Sequence, residues 1–101
     1  MKTIIEVKNY QFNDEKLLSR SHAKAMLKQL KGFDLLVFDF DGVMLVGQAF
    51  IDEIFRVFVT KNPDVHLMPI NMNNNLKFMV HRAINLKETQ ADEVIFGGIV
   101  V

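Results

Sequence analysis

The chain has no cysteine. That excludes disulfides and thiolate chemistry and fits a reducing compartment. It has no net charge either, because twelve Lys and Arg balance twelve Asp and Glu. A neutral chain gives no global electrostatic reason to expect nucleic acid or an anionic membrane surface. No apolar run approaches the roughly 18 residues of a membrane span, and the opening MKTIIEVKNY lacks a long apolar segment of the signal-peptide kind. A soluble cytoplasmic protein without a membrane partner is therefore expected. Gly-rich phosphate loops are missing, since Gly42 and Gly47 stand alone. The three histidines, His22, His66 and His81, share no metal-type spacing with one another or with a carboxylate, so neither a metal nor a cofactor is expected. There is no internal repeat and no low-complexity linker.

What is present is a 101-residue chain that is half hydrophobic, enough for one core but not two. TIIEVKN (3–9) is rich in β-branched residues and reads as a strand. The Asn13-Asp14 turn signal allows a second short strand around Leu17 and Leu18. SHAKAMLKQLKG (21–32) reads as a helix, with Ala23, Met26, Leu27 and Leu30 on one face. Ser19 or Ser21 can cap its start and Gly32 can end it. FDLLVFDF (33–40) has the nearly continuous apolar character of a strand covered on both faces. QAFIDEIFRVFVT (48–60) predicts a helix with an apolar stripe of Phe50, Ile51, Ile54, Phe55 and Phe58. Asp52, Glu53, Arg56 and Thr60 form its wet face, with Asp52 and Arg56 paired at i and i+4. VHLMPIN (65–71) is a strand whose Pro69 asks for an edge or a bulge. NNNLKFMVHRAIN (73–85) is a helix with Leu76, Met79, Val80 and Ala83 inward. Alternating strands and helices imply an α/β fold with parallel neighbours. Residues 1–85 read as one domain. Residues 86–101 read as a tail that adds a strand, docks on a partner or stays mobile.

LLVFDFDGV (35–43) raises a catalytic alternative. Asp39 and Asp41 in D-x-D-G-V resemble the start of a haloacid dehalogenase-type phosphatase, where two such carboxylates flank a Mg²⁺. Their place at the carboxyl end of a strand suits a ligand site. The remaining apparatus is missing. The motif follows 38 residues instead of opening the chain, and the later hydroxyls are only Thr60 and Thr89. The later acidic pair is Asp92-Glu93, in the tail. A short motif is cheap to match by chance. Arg20, Lys24 and Lys28 recur every four residues with Lys31 nearby, which reads first as a solvated helix face.

A longer match is more specific. SRSHAKAMLKQL (19–30), GQAFIDEIFRVF (47–58), NPDVHLMPINMN (62–73) and MVHRA (79–83) closely resemble the bacterial STAS-like domain family of unknown function. The shared pieces are Ser19-Arg20-Ser21 with Ala23, the run from Gly47 to Phe55, and Pro69-Ile70-Asn71. The resemblance implies a small STAS-like domain, with a mixed, mostly parallel sheet and helices packed mainly on one face. That family is similar in turn to anti-sigma factor antagonists, which present a loop and helix start to a kinase-like ATPase and are switched by phosphorylation of a Ser in D-S-S-G. Gly47, Gln48, Ala49 and Phe50 fall over those four residues and offer no hydroxyl.

The reading that follows is a non-catalytic protein-interaction module of bacterial signalling or regulation. Its implied contact residues are Gly47, Gln48 and Asp52 on one helix, with Arg20 and Ser21 on the other. A GHKL-type ATPase or an anti-sigma-like regulator is the partner class implied by the resemblance, and a homo-oligomer through the tail is an alternative. Two rivals stand beside it: a nucleotide- or phosphate-binding regulatory module using Arg20 and the helix amino end, and the Mg²⁺ phosphatase using Asp39 and Asp41.

Overall fold

The computed structural model describes residues 1–10, 19–43 and 46–87. The expected strand near Leu17 and Leu18 and the expectations for the tail beyond Lys87 lie outside these residues. Strand β1 (Lys2–Glu6) runs into a 3₁₀ turn (Val7–Tyr10), followed by α1 (Arg20–Leu27), β2 (Leu35–Asp39), α2 (48–61), β3 (His66–Ile70) and α3 (Asn74–Lys87). The three strands form one sheet in the order β1-β2-β3, and both pairs are parallel. The α/β fold expected from the alternation of elements is the fold observed.

The register explains where the core lies. Thr3, Leu36 and Leu67 are partners across the sheet, as are Ile5, Phe38 and Pro69. Side chains alternate faces along a strand, so these two rows share a face. Ile5, Leu36, Phe38 and Leu67 join the central core with Met26 of α1, Phe50 and Phe55 of α2, and Val80 of α3. All three helices therefore cover the same face, with α2 packed between α1 and α3. The opposite face carries the row Ile4, Val37 and Met68. Pro69 lies on an edge strand, where its missing N–H costs no central ladder bond.

Helix α1 starts on Ser19, whose Oγ accepts from the His22 N–H at 3.2 Å. Regular α-helix ends after Leu27, earlier than the apolar spacing suggests. Gln29 and Leu30 donate instead to Met26 and Leu27, three residues back, which tightens the last turn. Gly32 takes up the left-handed conformation (φ +91°) within the turn that leads to β2.

Helix α2 departs furthest from the expected periodicity. It begins as α-helix over Gln48–Asp52, widens to a π-helix over Glu53–Phe58, and closes as α-helix over Val59–Lys61. Widening adds residues per turn, so the buried face shifts by one position. Phe58, expected in the core, is half-buried, and Val59 takes its place at 1% exposure. Phe50, Ile51, Ile54 and Phe55 precede the shift or lie early in it, and all are fully buried as the stripe predicts.

Candidate recognition surface

Parallel strands separated by helices place every helix start at the carboxyl edge of the sheet. The amino ends of α1 and α2 thus lie side by side. Between them is a shallow concavity of about 440 Å³ lined by Arg20, Gln48, Ala49, Asp52 and Arg56.

Its electrostatics centre on Asp52. This residue and Glu53 were assigned to the wet face of α2, yet they are 4% and 5% exposed. The reason is tertiary: α1 and α3 pack on both flanks of α2 and cover positions that a lone helix on a sheet would leave in water. The buried charge is matched. Arg56 binds Asp52 through both carboxylate oxygens, Nε–Oδ1 at 2.5 Å and Nη2–Oδ2 at 2.6 Å. Arg20 reaches across from α1, with Nη1 2.7 Å from Asp52 Oδ2 and 3.5 Å from Glu53 Oε1. Hydrogen bonds from Arg56, joined by Arg20 and opposed by burial, hold the Asp52 carboxyl below the usual carboxylate range. Asp52 in turn raises Arg56.

The structure brings together three of the five residues expected at a contact surface: Arg20, Gln48 and Asp52. Gln48 is half-buried and donates from Nε2 to the Met79 carbonyl at 3.0 Å, tying α2 to α3. Gly47 precedes the concavity as the N-cap of α2, with extended backbone and no side-chain cap bond. Ser21 is exposed outside it, 2.9 Å from Ser19 Oγ in the α1 cap. Arg56 and Glu53 complete the cluster and were not foreseen as members. The i, i+4 spacing of Asp52 and Arg56 was the available signal, but only the helix packing shows that the pair is enclosed.

Asp39 and Asp41 have a different surrounding. Asp39 ends β2, and its Oδ1 accepts from the Asp41 N–H at 2.9 Å and from Asn71 Nδ2 at 3.0 Å. The Asn71 bond, then the Asp41 N–H, lower the Asp39 carboxyl pKa. Asp41 and Gly42 occupy the middle of a turn closed by Val43 N–H on the Phe40 carbonyl at 3.0 Å. Gly42 adopts φ +79°, a conformation glycine accepts without strain. Among the described residues, no three His, Asp or Glu side chains converge as a metal-holding group. His66 and His81 are exposed, on a strand face and a helix surface as expected.

The fold and this surface define a small α/β domain with one helical layer and a charge-neutral, closed cluster at the helix starts. A family model for a STAS-like domain of unknown function matches residues 22–77, from α1 into the first turn of α3. The chain belongs to that family. No curated protein and no solved structure matches it. No helix among the described residues is long and apolar enough to cross a membrane.

Proposed function

We propose that the chain is a non-catalytic protein-interaction module with a regulatory role, and that the amino ends of α1 and α2 form its contact surface. The observation that carries this reading is the self-neutralised Arg20–Asp52–Arg56–Glu53 cluster beneath Ala49. Two cations meet two anions there, and no carboxylate of the cluster is left without a partner to serve as a base. A shaped, pre-ordered polar surface of this kind suits recognition, because little side-chain freedom is lost on docking. The same neutrality weakens the nucleotide-binding alternative: both guanidiniums are already engaged, leaving no excess positive charge for a phosphate. Asp39 Oδ1 is engaged by the Asp41 N–H and by Asn71, which fits a turn-stabilising role for this carboxylate.

The partner class remains a GHKL-type ATPase or an anti-sigma-like regulator, drawn from the resemblance to antagonist domains. With no hydroxyl at positions 47–50, binding is constitutive or controlled from the partner's side. The test is Ala49→Glu. An acidic residue in the first turn suits the helix dipole and preserves the fold, but it obstructs the concavity. A tagged chain should retain such a partner from its native host, and Ala49→Glu should lose it at unchanged melting temperature. Equal retention by both proteins would remove this surface from the account.

A further inference from the structure

A second concavity lies at the other end of the helical layer. It measures about 580 Å³ and is enclosed by the end of α1, the turn into β2 and the end of α2. Its floor is apolar, formed by Leu27, Leu30, Phe33, Phe58 and Val65. All but Leu27 are half-buried, so the floor retains accessible hydrophobic area. Phe58 belongs to this floor because the π-helical stretch moves it off the core face and gives its place to Val59. Four lysines line the rim: Lys24 on α1, Lys28 at its C-cap, Lys31 in the turn and Lys61 at the end of α2. All four are exposed, and none forms an ion pair among the described residues. Glu53 is the one acidic residue at the lining, and it is buried and shared with Arg20.

We infer that this groove docks an acidic peptide segment of a protein partner, with one or two apolar side chains set on the floor and carboxylates on the lysine rim. Charge complementarity selects the occupant. Four cations on one groove of a chain with no net charge are a local concentration, and they flank a hydrophobic patch that water solvates poorly. Lys24 and Lys28 are one helical turn apart, roughly 6 Å, while Lys31 and Lys61 lie on other segments. Charges spread in this way suit several carboxylates along a chain better than a single anionic head group. The two concavities share no lining residue, although Glu53 in this lining reaches Arg20 at the edge of the other.

The test selects peptides from a random 12-residue display library on the full chain. Selected sequences should combine two or more Asp or Glu with a large apolar residue. Their binding should weaken at least about tenfold in the double variant Lys24→Glu/Lys28→Glu and fall with added salt. Both lysines are exposed, so circular dichroism should match the parent, with the melting temperature lowered only slightly by acids at the carboxyl end of α1. Ala49→Glu should bind the peptides unchanged, which separates this proposal from the surface above. Selection of peptides without acidic residues, or affinity indifferent to the double reversal, would overturn it. So would finding that the same reversal abolishes self-association, or that a single-headed fatty acid saturates the groove in place of the peptide.

Discussion

Asp52 shows at the scale of one residue how burial changes the meaning of a charge. With 4% exposure it depends on its partners, whereas Arg20 and Arg56 keep 44% and 37% of their side chains in water. Removing the acid frees two arginines that can turn outward. Removing Arg56 leaves a buried carboxylate short of its bidentate donor. Arg56→Ala should therefore cost about 3 kcal/mol, and Asp52→Asn about 1 kcal/mol, in urea melts at pH 7. The pH dependence follows from the lowered Asp52 pKa. The folded state binds this proton less readily than the unfolded chain, whose Asp titrates near about 3.9. The contribution is thus fully present above that value and is lost as pH falls through the lower folded value. The urea midpoint should drop below about pH 4 in the parent and change less steeply there in Arg56→Ala. Asp39 supplies the contrasting case, a strand-end carboxylate held in a turn. Asp39→Asn should leave no Mg²⁺-dependent phosphate-ester hydrolysis to lose, and robust turnover abolished by that substitution would restore the phosphatase reading.

Elements were legible in proportion to how far local rules governed them. The strand at 35–39 announced itself by a run of apolar residues, and a serine cap by its position ahead of an amphipathic repeat, although the sequence left Ser19 and Ser21 open and the structure uses Ser19. The π-helical stretch was not legible, because 3.6-residue spacing predicts Phe58 inside and nothing local signals the extra residue in the turn. The two phenylalanines measure the shift. Phe55 is fully buried and contacts Phe38 edge-on, with ring centroids 6.0 Å apart. Phe55→Ala should cost about 3–5 kcal/mol, while Phe58→Ala should cost under about 2 kcal/mol. Similar losses at both positions, measured by chemical denaturation, would mean that the helix is regular and Phe58 faces the core.

At the scale of the whole molecule, the fold class followed from the order of elements, and the one-sided helical layer from the family resemblance. The location of the polar cluster did not follow from either. Arg20 lies 32 residues before Asp52, and only the parallel crossovers set the starts of α1 and α2 side by side. Gln48 reads from sequence either as a recognition contact or as a side chain bonding a neighbour's backbone; it does bond the Met79 carbonyl of α3, so Ala49 becomes the residue whose replacement probes the surface without loosening the fold. The central claim is that a protein partner docks there. The most direct measurement places a photo-crosslinking amino acid at position 49 and, in a second protein, at the exposed position 82 on α3. Irradiation in the native host should join position 49 to one discrete protein of the ATPase or regulator class and leave position 82 without it. Crosslinks to the same protein from position 82 alone would contradict the account.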